Sequence, residues 1–416
     1  MHKGNLFVWS LYDFANSIVS IAFFLYFSQW LVVDRGVADF WYNASFAAGS
    51  LLLLLTAPVL GALADKTGRQ KIYLNWITTF SAIFLFATSV VTLFFSNNPF
   101  LALTLFLLGN YLYQFSFVFY NALLPFIAPF EKWGKASGIG ISANFAGQVV
   151  GMTLILPFVG GSIYFFGETG RAQALMPATL TFFLLALPML LYFKGPKPIQ
   201  YEGQISLREE YSNQWKNFKE LIRDNNIKFF LLAYFFFNDA VITVVNNFPL
   251  YLENVFEVSD NLKTILLSGA LLTSIFGALI SGFVADKIGL KKSLVGVIGI
   301  WIIFLPILGL NRNFQTFMIL CVLMGFLYGG IWTISRTAMA AITPNNKMNF
   351  GFSFYTLAER TSTLVGPIAW GGIVSGLGYM GADSYRIAMV SMAVFVTIGL
   401  YLVRKVNLEE PNSPAE

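Results

Sequence analysis

Asp13, Asn16, Ser17 and Ser20 stand at i, i+3, i+4 and i+7 in the first long apolar run, so a helix there carries one polar stripe. Two other runs repeat the device. Asn110, Gln114 and Asn121 fall at i, i+4 and i+11 in the fourth, and Asp239, Thr243, Asn246 and Asn247 keep the spacing in the seventh, with Asn238 adjacent. Polar side chains at membrane depth are costly and tend to mark solute or ion pathways. The three stripes therefore predict a wet cavity, and the competing reading is hydrogen-bonded glue between helices. Asp13 lies roughly 12 Å along its helix at about 1.5 Å per residue. A carboxylate at that depth is a candidate proton carrier, the alternative being a permanent partner for a buried cation. Arg360, preceded by Glu359 in the eleventh run, is such a cation. Its permanent charge and planar fork suit a carboxylate or phosphate. Neighbours on a helix point about 100° apart, so Glu359 and Arg360 are not expected to share a face. One would meet solute while the other pairs across the interface between halves. Arg336, near the end of the tenth run, reads as a snorkelling side chain.

The single histidine, His2, and the single cysteine, Cys321, leave no metal-ligand set, no disulfide framework and no nucleophile–base pair. A membrane-embedded enzyme is therefore the weaker reading, and no cofactor or metal is implied. The chain also lacks a Gly-x-x-x-x-Gly-Lys loop that would cradle the phosphates of a pump's nucleotide. The 416 residues are 56% hydrophobic and only 11% charged, with a mean hydropathy of +0.67. A soluble domain carries about 25% charged residues, so the solvent that fits this chain is a bilayer.

Positioning the stripes requires spans of about 20 apolar residues each. The pattern predicts an all-α membrane protein with about twelve transmembrane helices, near 6–33, 40–64, 72–95, 100–128, 136–159, 174–193, 228–250, 263–285, 292–310, 314–340, 351–375 and 385–403. The first is far too long for a cleavable signal and is read as a retained span. Of the 26 basic residues, 20 fall on the side of the N-terminus, in loops or at span ends, and only Arg35, Arg171, Lys263, Arg312 and Arg386 on the other; Arg360 lies within a span. That asymmetry sets both termini in the cytoplasm. It also explains the net charge of +5 as topology, with no nucleic-acid partner. The expectation is an integral multi-pass protein of a plasma membrane or, in a bacterium, the inner membrane, and a monomer by default. The domains predicted are an N-terminal six-helix half (1–193), a cytoplasmic linker (194–227), a C-terminal six-helix half (228–405) and a disordered tail (406–416). In the linker, Leu207, Tyr211, Trp215, Phe218 and Ile222 recur every three or four residues, an amphipathic pattern suited to the membrane surface.

One loop is written twice. Gly61-Ala62-Leu63-Ala64-Asp65-Lys66-Thr67-Gly68-Arg69-Gln70-Lys71 returns as Gly282-Phe283-Val284-Ala285-Asp286-Lys287-Ile288-Gly289-Leu290-Lys291-Lys292, with the glycines, aspartate and last lysine in register and Leu290 in place of Arg69. The repeat implies two pseudo-symmetric halves. Gly68 and Gly289 permit a tight reversal. An aspartate at a helix end can accept the free N–H groups that open a neighbouring helix. Asp65 would then hold the start of the eleventh span near Phe350, and Asp286 the start of the fifth near Ala136. The set Gly61, Asp65, Gly68, Arg69, Asp286, Gly289 and Lys292 is thus a candidate cytoplasmic gate; the plainer reading is a positive-inside stop signal.

The first copy resembles the loop motif of the major facilitator superfamily, and the second its weaker echo. Trp9-Ser10-Leu11-Tyr12-Asp13-Phe14-Ala15-Asn16-Ser17 looks like the first-helix hallmark of the "unknown major facilitator" branch, which includes the yeast autophagy-related vacuolar amino-acid effluxer. The likeness continues at Phe119-Tyr120-Asn121-Ala122-Leu123-Leu124-Pro125, Tyr234-Phe235-Phe236-Phe237-Asn238-Asp239, Gly329-Gly330, Ser335-Arg336, Pro344 and Gly366-Pro367. It departs at Ala143-Asn144-Phe145-Ala146-Gly147-Gln148, where the branch is glycine-rich, and at Arg360, where members often carry lysine. Asn144 and Gln148 thereby join the expected cavity wall. The resemblance implies the major facilitator fold and a secondary transporter of amino acids or similar metabolites working by alternating access. Protons are the candidate coupling ion. The alternative from another class is a sensor or scaffold that does not transport.

Overall fold

The structure, a computed structural model, describes residues 3–196, 198–199, 212, 216, 218–258, 260–362 and 365–408. Among these there are thirteen α-helices and no strand. They are α1 (Lys3–Ala22), α2 (Asp39–Thr67), α3 (Gln70–Phe94), α4 (Pro99–Ala122), α5 (Trp133–Val159), α6 (Leu175–Tyr192), α7 (Asn225–Phe256), α8 (Asp260–Ile288), α9 (Leu290–Leu310), α10 (Phe314–Ile342), α11 (Met348–Thr361), α12 (Val365–Gly376) and α13 (Ala382–Arg404). All-helical architecture suits a bilayer, because a helix satisfies its own backbone where no water can. Eleven segments are single helices long and apolar enough to cross a membrane. The first continues beyond α1 through two π-helical turns, Phe23–Phe27 and Trp30–Asp34.

The remaining span is where the structure adds most to the pattern. The run 351–375 is not one helix but two, α11 and α12. Gly366 and Pro367 lie in the first turn of α12, where the missing proline N–H breaks no helical bond. The proline that would disrupt one long helix thus starts a new one. The fourth span is shorter than the expected 100–128: α4 stops at Ala122, and a 3₁₀ turn at Leu124–Phe126 contains Pro125. Similarly, part of the expected disordered tail is ordered. Val406 and Leu408 are buried, and the Asn407 N–H donates to Asn226 Oδ1 at 2.7 Å. The rest of the tail, from 409, lies outside the described residues. So do Leu207, Tyr211 and Trp215 of the amphipathic pattern; Phe218 lies on a described helical stretch, its ring 4.9 Å from that of Phe354.

By contacts the chain divides into two units. Unit 1 comprises residues 1–129, 143–212 and 345–353; unit 2 comprises 130–142, 213–344 and 354–416. The first ten residues of α5 therefore belong to unit 2 and the first six of α11 to unit 1. In unit 1 the rings of Phe23, Phe27 and Phe106 stack into an aromatic core, with Phe27 and Phe106 centroids 4.6 Å apart. In unit 2 Tyr251, Phe256 and Phe317 do the same. All five bases that the charge count leaves outside the cytoplasmic set find a carboxylate in their own unit. Arg35 pairs with Glu168, Arg171 with Asp34, Lys263 with Glu253, and both Arg312 and Arg386 with Asp383.

Candidate functional site

In unit 1, Asp13 is 1% exposed and both of its oxygens accept from neutral donors. Asn144 Nδ2 donates to Oδ1 at 2.8 Å, and Gln148 Nε2 in turn donates to Asn144 Oδ1 at 3.0 Å. The Tyr120 hydroxyl lies 3.0 Å from Asp13 Oδ2 and 3.1 Å from the Trp9 carbonyl, with one proton for the two acceptors. Trp9 stacks on Tyr120 at 4.7 Å, and its indole N–H donates to the Tyr120 carbonyl, so α1 and α4 lock at this level. Asn16, Gln114 and Asn121 are buried. Gln114 Oε1 and Asn121 Oδ1 have no hydrogen-bond partner among the described residues, and neither amide atom of Asn16 has a well-aligned one. Buried amides are almost always paired, so such oxygens mark where a polar ligand or water belongs. Ser17 is buried as well, but its hydroxyl donates to the Asp13 carbonyl on its own helix. Asn110 is half-buried.

In unit 2, α7 presents Asn238 and Asp239 to the interrupted span. Asn238 Nδ2 donates to Ser362 Oγ at 2.7 Å, just past the end of α11. Asp239 Oδ2 accepts the Gly366 N–H at 2.7 Å, at the start of α12. Thr243 is buried one turn along, Asn247 Nδ2 donates to the Thr243 carbonyl, and Asn246 is exposed. Glu359 and Arg360 differ from expectation. They form an ion pair at 3.3 Å although their Cα–Cβ bonds diverge, because the long side chains fold back toward each other. Both lie within electrostatic range of Tyr234 and Tyr328, and Tyr234 stacks on Tyr355 at 4.4 Å. Arg336 also differs: it is 3% exposed and does not snorkel. Its Nε and Nη2 donate to Ser137 Oγ and the Ser137 carbonyl at 3.0 and 2.6 Å, fixing the first turns of α5 in unit 2.

The repeated loops end in matching helix caps. Asp65 Oδ1 accepts the Asn349 N–H and Asn349 Nδ2 at 3.0 and 2.7 Å, and Oδ2 accepts the Phe350 N–H at 2.8 Å. Asp286 accepts the Gly134 and Lys135 N–H groups at 2.7 and 2.8 Å. In both copies the donors are the second and third residues of a helix, the free N–H groups that a carboxylate satisfies best. Gly61 and Gly282 make the approach possible: a side chain at either would strike the carbonyl of Asn349 or Gly134. Gly68 ends α2 at φ 62° and Gly289 precedes α9 at φ 95°, both in the region glycine favours.

The structure corrects the register of the last lysine. Lys71 Nζ donates to the Phe193 carbonyl at 2.5 Å, at the end of α6. Its counterpart is Lys291, which donates to the Val403, Arg404 and Val406 carbonyls at the end of α13. Lys292 is exposed, as is Arg69. Lys71 and Lys291 are each the second residue of their helix, so Arg69 has no equivalent: in the second copy the helix starts directly after Gly289.

Sequence patterning missed Tyr120, Ser137, Asn349, Ser362 and Gly366. Tyrosine and glycine count as apolar in a periodicity argument, and the others carry no spacing of their own. A cavity of about 1090 Å³ in unit 1, lined by Asn5, Val8, Pro125, Tyr192 and Lys194 among others, includes none of the stripe residues.

Comparison with known proteins accords with these features. The profile of the family described as "Vacuole effluxer Atg22 like" matches residues 39–137 and 131–415. The MFS-type transporter YxiO of Bacillus subtilis is 24% identical over 376 residues, covering 86% of each chain. The multi-drug resistance efflux pump PmrA homolog of Lactococcus lactis is 26% identical over 412 residues, covering 96% of this chain and 93% of its own. Among solved structures, the human organic anion transporter MFSD10 (TETRAN) superposes with a TM-score of 0.77 at 12% identity, over 96% of this chain and 99% of that one. At that identity the likeness is one of fold, and the fold is that of the major facilitators.

Proposed function

The chain belongs to the vacuole effluxer Atg22-like family of membrane transporters, and on that footing we propose that it carries a small polar solute, an amino acid or similar metabolite, by alternating access. The observation that carries the reading is the Asp13 cluster: a fully buried carboxylate that accepts from Tyr120 and Asn144, in the same unit as the buried Asn16, Gln114 and Asn121 amides, whose oxygens lack well-aligned partners. A carboxylate at that depth in the first span is the group assigned here to carry a proton. The unpartnered amides suit the ammonium and carboxylate groups of a zwitterion. The Glu359–Arg360 pair gives unit 2 one group of each sign for the same purpose.

The two aspartate caps serve as the cytoplasmic gate in this reading. Opening would pull residues 345–353 from Asp65 and residues 130–142 from Asp286. Water entering from that face on opening would take over these bonds, so they can break and reform at modest cost. A thermal-shift screen of the purified protein against amino acids, short peptides, sugars and organic anions tests the proposal. A ligand of the folded state must raise its stability. A stabilising amino acid or similar polar metabolite supports the reading; stabilisation only by apolar compounds or bulky organic anions refutes it.

A further inference from the structure

We propose that Tyr120 is the positioning residue for the proton of Asp13: its hydroxyl donates to Oδ2 when the carboxylate is ionised and accepts from Oδ2 when it is protonated. This rests on the proton-carrier reading of Asp13 given above. Tyr120 is fully buried, and its ring packs against two rings of α1, stacked on Trp9 at 4.7 Å and on Tyr12 at 5.2 Å. The Trp9 indole N–H donates to the Tyr120 carbonyl at 3.2 Å, so backbone and ring are both held and the O–H is left to turn. It has two acceptors to turn between, Asp13 Oδ2 at 3.0 Å and the Trp9 carbonyl at 3.1 Å.

Counting donors and acceptors places the proton. A hydroxyl carries one donor and two acceptor lone pairs, and a backbone carbonyl has a second lone pair beside the one its helical bond uses. With Asp13 ionised, Tyr120 donates to Oδ2. With Asp13 protonated on Oδ2, the acid O–H donates to Tyr120 Oη, and Tyr120 turns its own proton to the Trp9 carbonyl. Tyr120 keeps that proton throughout, and the exchange needs no heavy atom to move. Oδ1 does not offer the same. It faces the Asn144 Nδ2 donor, and Gln148 Nε2 donates to Asn144 Oδ1, so a proton on Oδ1 requires both amides to flip. Tyr12, also titratable and next to Asp13 on α1, has its hydroxyl 2.7 Å from Thr78 Oγ1. The arrangement has a direction. Protonation reverses the bond to α4 but turns the bond from Asn144 from a charged one into a weaker neutral one. The tie from Asp13 to α5 therefore loosens while α1 and α4 stay locked.

The test is infrared difference spectroscopy of the full-length purified protein on acidification, with the proton itself as the probe. Wild-type protein should gain a carboxylic C=O band that is absent in Asp13→Asn. With the same midpoint, the tyrosine C–OH bands, identified by isotope-labelled tyrosine, should shift. In Tyr120→Phe the tyrosine shift should be lost and the carboxylic band should move to higher frequency, because the acid O–H has lost its acceptor; Tyr12→Phe should keep both signals. Should Tyr120→Phe fail to fold, a tyrosine shift that persists in Tyr12→Phe and is lost in Asp13→Asn carries the test. An Asp13 band that is the same in wild type and Tyr120→Phe, or one that appears with no tyrosine shift, overturns the proposal and leaves Asp13 as the proton carrier. Absence of any Asp13-dependent band overturns the proton-carrier reading and this inference with it.

Discussion

Replacing Asp65 with asparagine keeps the shape of the cap and removes its charge. Asp65 accepts three hydrogen bonds, two from backbone N–H groups at the start of α11 and one from the Asn349 amide. Asparagine offers one acceptor oxygen in place of two, so at least one N–H loses its partner and the others become neutral bonds. A bond to a charged group is worth about 1.5–3 kcal/mol and a neutral one about 0.5–1.5 kcal/mol. The substitution should therefore weaken the hold on residues 348–350 by about 2 kcal/mol, or roughly thirtyfold in the equilibrium between held and released states. Ser353 is fully buried on α11 and reports release when changed to cysteine. The single native cysteine, Cys321, is buried and is first replaced by alanine to clear the background. Asp65→Asn should then raise the initial rate at which Ser353→Cys reacts with a membrane-impermeant maleimide by about tenfold or more. Asp286 accepts only two bonds, so Asp286→Asn should produce a smaller rise at an equivalent position on α5. Unchanged labelling in Asp65→Asn, in protein that binds ligand normally, would refute the gating role and leave the loop a topological signal.

Other outcomes follow from the same geometry. Lys291→Ala should lower the unfolding midpoint, by about 1 kcal/mol, because three carbonyls at the end of α13 lose a charged donor. Lys292→Ala should stay within about 0.5 kcal/mol; equal effects would restore the register read from the repeat alone. Arg360→Gln should raise the apparent Kd for the solute by about tenfold or more, as expected for loss of one charged contact. An unchanged affinity by titration calorimetry would show that the Glu359–Arg360 pair is purely structural.

The repeated loop was legible because its chemistry is local. An aspartate at a helix end, a glycine that turns the chain and a constant spacing pointed to caps at the starts of the fifth and eleventh spans, within two residues of Gly134, Lys135, Asn349 and Phe350. The offset near Ala136 arose because a 3₁₀ turn at Phe130–Lys132 starts α5 earlier than hydropathy suggests. The lysine register failed for a related reason: identity of residue type at a fixed offset hid a one-residue difference in where the helix begins. Gly366-Pro367 stood out as a motif, yet its consequence, a new helix start capped by Asp239, needs the partner helix to be visible. Tyr120 was hidden by its own apolar ring. Arg336 looked exposed because it lies near a span end, while its burial depends on Ser137, some 200 residues earlier in the chain.

Solute flux in proteoliposomes separates exchange from energised transport and tests the central claim most directly. With the solute found by stabilisation, wild-type protein should both exchange labelled for unlabelled solute and accumulate it against its gradient under an imposed proton gradient. Asp13→Asn should keep the exchange and lose the accumulation. Accumulation that survives Asp13→Asn, or wild-type vesicles that exchange no solute at all, would contradict the account.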